Sequence, residues 1–64
     1  MEYREYRILW VLKDNKYHTI SEIALKLNAN VGEVSRTLWR MVINGKVNRI
    51  IYRRKACFIL TNRN

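Results

Sequence analysis

The chain has 64 residues, one cysteine, no proline and a formal net charge of +8. Its length allows a single domain (1–64) near the lower size limit for independent folding, and one cysteine excludes both an internal disulfide and a cysteine cluster that binds metal. The longest apolar run, residues 8–12, is too short to span a membrane. Because the charged N-terminus does not resemble a signal peptide, we expect a cytoplasmic protein without a cofactor.

The first predicted helix covers residues 2–13 and has apolar side chains on two faces. One face consists of Ile8, Val11 and Leu12. The other face is aromatic, at i, i+3, i+7 spacing: Tyr3, Tyr6 and Trp10. The aromatic face is either covered as part of the core or is a surface that meets a second copy of the chain.

The second predicted helix, residues 20–27, begins with a capping box. In the segment "TISE", Thr19 is followed three residues later by Glu22, so that each side chain accepts a hydrogen bond from an otherwise unpaired amide of the first turn. His18 precedes this cap without a ligand partner, which indicates a structural or exposed residue.

The third predicted helix follows a short "NAN" turn and covers residues 31–44. Asn30 and Glu33 repeat the capping arrangement, and Gly45 supplies the left-handed residue that commonly ends a helix. The apolar face of this helix holds Val34, Leu38, Met41 and Val42. The opposite face holds Gly32, Arg36, Trp39, Arg40 and Ile43.

Two β-strands complete the pattern, at residues 47–52 and 56–60. Val47, Ile51, Phe58 and Leu60 are predicted to share the inner face of this hairpin, with Ile50, Tyr52 and Ile59 outside. The "RRK" segment between the strands lacks the Gly or Asn of a usual tight turn, which leaves the turn type open. The predicted fold is therefore α+β, mainly α: a three-helix helix-turn-helix followed by a two-stranded wing.

The positive charge is concentrated in the second half of the chain. Residues 1–32 have five basic and four acidic side chains, a net charge of +1, whereas residues 33–64 have eight basic and one acidic, a net charge of +7. Such asymmetry indicates a nucleic acid or an anionic membrane surface as the partner.

Two segments resemble the winged helix-turn-helix domains of small bacterial and archaeal transcription regulators. They are "TISEIALKLNANVGEVSRTLWRMVINGKV" and "RIIYRRKACFILT", which together cover most of the chain. The resemblance implies that helix 31–44 enters the major groove of double-stranded DNA while the wing, residues 52–56, contacts the backbone or minor groove. A protein that binds DNA in this way is expected to be nucleoid-associated.

The residue types agree with that expectation. Arg36 and Arg40 present planar guanidinium groups suited to guanine, and the wing cations Arg53, Arg54 and Lys55 suit phosphates. Further candidate contacts are Ser21, Gly32, Ser35, Trp39, Lys46 and Arg49. Trp39 remains open between core-edge packing, contact with DNA and a partner interface.

A homodimer would supply burial that so small a chain lacks. Because the sequence ends after the second strand, we expect the first helix or the wing to form the interface: Tyr3, Tyr6, Trp10, Ile50 and Tyr52. No small-molecule effector, membrane or enzyme chemistry is indicated, and repression by promoter occupancy is expected. The alternatives are nonspecific coating of DNA, RNA binding, and a winged-helix module that binds proteins.

Overall fold

The computed structural model of the protein describes residues 3–61. Its elements, in chain order, are α1 (Tyr3–Leu12), β1 (His18–Thr19), α2 (Ile20–Leu27), α3 (Val31–Ile43), β2 (Val47–Tyr52) and β3 (Lys55–Leu60). The predicted fold class is confirmed: three helices and an antiparallel hairpin. The first residue of the predicted helix 2–13 and the end of the polar "TNRN" tail lie outside the described residues.

The core lies between the three helices and the base of the hairpin. Its members, all buried, are Ile8, Val11, Leu12, Ile23, Ala24, Val34, Leu38, Met41, Val47 and Phe58. Thr37 is also buried, which hydrophobic periodicity did not predict. Its hydroxyl donates to the carbonyl of Glu33 at 2.9 Å, so the side chain enters the core with its polar group satisfied.

The sheet has three strands in the order β1-β3-β2, one more than the sequence predicted. The additional strand is only two residues long: His18 pairs with Phe58, and Thr19 pairs with Cys57. On the central strand β3, Cys57 and Phe58 are both buried, although successive side chains of a strand point to opposite faces.

The predicted burial of Ile51 is wrong. This residue lies on β2, an edge strand of which only the first residue, Val47, is buried, and Ile51 is 60% exposed. Alternation along a strand assigns side chains to faces, but the core covers only the base of this hairpin, so both faces of the distal wing are exposed.

The two predicted helix caps differ in detail. The capping box of α2 is confirmed, with Thr19 Oγ1 accepting from the Glu22 amide at 3.1 Å and Glu22 Oε1 accepting from the Thr19 amide at 3.4 Å. In α3, Asn30 Oδ1 accepts from the Glu33 amide at 3.2 Å. The Glu33 carboxylate does not return this bond; it accepts from Arg4 at 2.8 Å, so the reciprocal half of the second box was predicted wrongly.

Helix α1 is tied by its polar side chains to both helices of the helix-turn-helix. Arg4 reaches Glu33 in the first turn of α3. A guanidinium nitrogen of Arg7 donates to the carbonyl of Leu27 at the end of α2, where the negative end of the helix dipole favours a cation. These contacts hold α2 and α3 in a fixed orientation from one side.

Candidate nucleic-acid interface

The outward face of α3 has the side chains that the sequence placed there. Gly32, Arg36, Trp39 and Arg40 are exposed, while the opposite face is buried against α1 and α2. Arg36 and Arg40 are four residues apart, so their guanidinium groups lie on one side of the helix, one turn from each other. They line a shallow cleft of about 200 Å³ that reaches Arg4 on α1.

Gly32 leaves space for its neighbours at the start of α3. A Cβ atom added at this position would lie 3.1 Å from the capping oxygen of Asn30 and 3.8 Å from a guanidinium nitrogen of Arg36. The missing side chain therefore serves the cap, a role that the sequence did not reveal, and it also leaves the backbone open to a partner.

Trp39 stands between α3 and the wing. Its side chain is 49% exposed, and the guanidinium carbon of Arg49 on β2 lies 5.1 Å from the centroid of its ring. This cation–π contact covers part of the indole and holds the charge of Arg49 beside the outward face of α3. Arg49 and Trp39 thus form one surface, a pairing that no sequence pattern predicted.

The start of α2 meets the wing across a second cleft. Ser21, exposed in the first turn of α2, and Lys55 of β3 both line a depression of about 260 Å³. Amides of a helix N-terminus together with a nearby ammonium group suit a phosphate. Ser35 is half-buried at the edge of α3.

The wing tip is a two-residue turn made of arginines. Tyr52 pairs with Lys55, which leaves only Arg53 and Arg54 between the strands, and both have positive φ angles of 52° and 66°. Positive φ at both central positions is typical of a type I′ turn, which normally takes Asn and Gly. Arg53 also stacks on the Tyr52 ring, 5.2 Å from its centroid. The tip therefore presents two cations on a strained backbone.

Lys46, a predicted DNA contact, has a different partner in this structure. Its Nζ lies 2.7 Å from Oε1 of Glu5, and the Glu5 side chain is only 9% exposed. Because this ammonium group is engaged by a buried carboxylate, we leave Lys46 out of the interface.

The aromatic face of α1 is not part of the core. Tyr3, Tyr6 and Trp10 are 71%, 64% and 59% exposed. Two cations stack on this face: Arg7 of the same helix on Tyr3 at 5.6 Å, and Lys13, the residue after the helix, on Trp10 at 4.7 Å. The other predicted dimer residues, Ile50 and Tyr52, are exposed on β2, a separate element.

Two exposed apolar residues that the sequence analysis did not select are Leu25 on α2 and Val31 at the start of α3. A signal was available, because residue 25 falls outside the apolar face formed by Ile23, Ala24 and Leu27.

Within residues 3–61, no group of three His, Cys, Asp or Glu side chains is placed to hold a metal, and no helix of that part is long and apolar enough to cross a membrane.

Comparisons with known proteins converge on one family. The family model of the MarR family matches residues 1–54. The wild-type apo form of MarR from E. coli superimposes with a TM-score of 0.88 at 23% identity, over 97% of this chain and 48% of that one. The reduced form of MarR from E. coli superimposes with a TM-score of 0.87 at 23% identity, over 95% of this chain and 47% of that one. This chain therefore spans about half the length of those structures, and the likeness shows the fold. A search of curated proteins finds no match.

Proposed function

Since the chain belongs to the MarR family, whose members are transcription regulators and not enzymes, we propose that it binds specific duplex DNA sequences with α3 in the major groove. The observation that carries this proposal is the outward pair Arg36 and Arg40. The major groove admits an α-helix, and the exposed side of α3 combines side chains that can read bases with flanking cations.

Arg36 and Arg40 supply the base contacts in this proposal. A guanidinium group donates two parallel hydrogen bonds to O6 and N7 of guanine, the commonest specific contact in the major groove. Gly32, which has no side chain, lets the backbone of the first turn of α3 approach the DNA on the same face. Trp39 and Arg49 extend the surface toward the wing as a stacked pair, with the cation directed to the phosphates and the indole to sugar or base edges.

Phosphate contacts on either side fix the register of α3. The depression between Ser21 and Lys55 accepts one backbone phosphate, and the wing tip, Arg53 and Arg54, follows the backbone or the minor groove. Contacts of this kind set orientation and affinity and carry no direct sequence information. Ser35 donates to a phosphate from the edge of α3.

We also propose that the protein acts as a homodimer through the aromatic face of α1. Tyr3, Tyr6 and Trp10 are large, exposed and adjacent, the composition that protein interfaces favour. A two-fold dimer places two copies of α3 on half-sites one helical turn apart, about 34–36 Å. Occupancy of such a site represses transcription by excluding other proteins. Ile50 and Tyr52 on the wing form a second, smaller exposed set.

The experiment that tests the proposal is selection of random duplexes by the purified protein. The enriched duplex and a scrambled duplex of equal composition are then titrated at several salt concentrations. A specific regulator is expected to bind the enriched duplex more than about 10³-fold more tightly than the scrambled one, and a palindromic motif is expected for a dimer. Salt-dependent binding without an enriched motif would replace the proposal with nonspecific coating, and the absence of binding would leave a protein-binding module.

A variant series makes this assay specific to the proposed face. The double variant Arg36→Ala, Arg40→Ala removes two cations from α3. Its matched control removes two cations elsewhere, Lys16→Ala with Lys26→Ala, so that net charge is equal in both. Loss of the enriched motif only in the first variant supports reading by α3.

A further inference from the structure

The junction of α2 and α3 exposes two large apolar side chains side by side. Leu25 is 83% exposed and Val31 is 53% exposed, and both line a shallow depression of about 250 Å³ together with Ser21 and Ala24. We refer to Leu25 and Val31 as the apolar strip. Leu25 follows Ser21 by one turn on the outer side of α2, so the strip is continuous with the proposed phosphate contact at Ser21.

The fold does not require apolar residues at these positions. The first turn of α3 is capped by Asn30, and α2 packs through Ile23 and Ala24. Burial of this exposed apolar surface against a partner would be favourable, by about 25 cal/mol for each Å² removed from water.

The charges around the strip select the kind of partner. Arg36 lies five residues along α3 from Val31, and Lys55 lies beyond Ser21 on the other side. The two acidic side chains nearest the strip already have partners within the protein: Glu22 contacts the Thr19 amide and His18, and Glu33 accepts from Arg4. The sequence has no acidic residue after Glu33. The partner is therefore a polyanion that offers a small apolar group between its charges. In the major groove of DNA that group is the C5 methyl of thymine.

We infer that Val31 contacts the C5 methyl of a thymine in the bound sequence, with Leu25 covering the outer side of that contact. The inference rests on the proposed function and adds a base identity to it: a thymine in the same half-site as the guanine read by Arg36. Val31 suits this role because the first residues of a helix in the major groove lie closest to the base edges, and because Gly32 beside it has no side chain to hold the bases away.

Replacement of thymine by deoxyuridine tests this inference, because it removes the methyl and leaves base pairing intact. In the duplex enriched by selection, each thymine is replaced singly and the dissociation constant is measured. Burial of one methyl predicts weakening of about fourfold at one thymine per half-site. The Val31→Ser protein is expected to bind the thymine and deoxyuridine duplexes equally at that position.

Tyr17→Ser is the matched control, because Tyr17 is 48% exposed, close to the 53% of Val31, and lies in the loop before β1; it should retain the wild-type sensitivity to deoxyuridine. Wild-type binding that is insensitive to deoxyuridine at every position would overturn the inference while the enriched motif still stands for the proposed function. The inference would also be overturned if both the Val31→Ser and the Leu25→Ser protein still lost affinity when the thymine is replaced by deoxyuridine. Failure to enrich any motif would instead remove the proposed function and this inference together.

Discussion

The ammonium group of Lys46 bonds the carboxylate of Glu5 at 2.7 Å, joining two residues 41 positions apart in the sequence. Lys46 follows the end of α3, and Glu5 lies in the first turn of α1, so the pair fixes α1 against the segment that leads into the wing. Glu5 is almost completely buried. A buried carboxylate is costly without a partner, which gives Lys46 a structural role.

Replacement of Lys46 by methionine is expected to lower the free energy of unfolding by about 1–3 kcal/mol, because it leaves the Glu5 carboxylate buried and unpaired. Lys16→Met, a change at an exposed loop position, should alter stability by less than about 0.5 kcal/mol. Urea denaturation measures both. The salt dependence of DNA binding should be the same in the two variants; a smaller salt slope in Lys46→Met alone would return Lys46 to the DNA interface.

Substitution of the outward arginines of α3 tests base reading directly. Arg36→Ala or Arg40→Ala should each cost about 1–3 kcal/mol in binding to the enriched duplex and much less on scrambled DNA, since bidentate contacts to guanine are lost only on the former. Titration of both duplexes by fluorescence anisotropy gives the two losses. Equal losses on both duplexes would mean that these side chains contact phosphates.

The wing tip should show opposite effects on stability and binding. The double change Arg53→Asn, Arg54→Gly places the preferred residues in the type I′ turn and should stabilise the fold by about 1 kcal/mol. In a domain of this size that raises the melting temperature by about 4–8 °C. Loss of two cations should flatten the salt dependence of DNA binding by up to about 1.8 units.

A second double variant of the wing tip separates the effect of charge from that of turn preference. Arg53→Gln with Arg54→Gln removes the same charges without changing the turn preference, so it should flatten the salt slope equally and leave the melting temperature almost unchanged. A stabilised Asn-Gly wing that binds DNA with the wild-type salt slope would exclude the tip from the interface.

The acid stability of the fold should depend on Asp14. Its two carboxylate oxygens lie 2.9 Å and 3.0 Å from Nε2 of the buried His18, and this hydrogen bond, followed by one from the backbone amide of Lys16, lowers the pKa of Asp14. A carboxyl whose pKa is lower in the folded state stabilises the fold above its ordinary pKa, about 3.9. That contribution is lost as the pH falls through the lowered value.

Asp14→Asn is therefore expected to reduce the decline of the free energy of unfolding below about pH 4. Urea denaturation across that range, for wild type and variant, measures the two slopes. Parallel curves would show that the Asp14–His18 contact does not persist in solution.

Local patterns predicted the helices and the outward face of α3 because caps and 3.6-residue periodicity depend on neighbours in the sequence. Thr37 was missed because a hydropathy pattern does not register that its hydroxyl bonds its own helix. Ile51 was misplaced because alternation gives the face of a strand and not the extent of the core that covers it.

Contacts between distant residues had no signal in the sequence. The pairing of Trp39 with Arg49 and of Glu5 with Lys46 depends on how α1 and β2 pack against α3. The turn at Arg53 and Arg54 departs from the residue preference by which such turns are recognised. Charge composition therefore predicted the candidate surface, and the fold showed that Lys46 is paired with Glu5.

The aromatic face of α1 yields the last prediction. If Tyr3, Tyr6 and Trp10 pack against a second copy, a charge introduced there would be buried without a partner, so Tyr3→Glu or Trp10→Glu should convert a dimer into a monomer in sedimentation velocity. These side chains are exposed, so the monomer should remain folded by circular dichroism. Ile51→Glu, an equally exposed change on the wing, should leave the dimer intact. A wild-type protein that sediments as a monomer at all concentrations and protects a single half-site would exclude this interface.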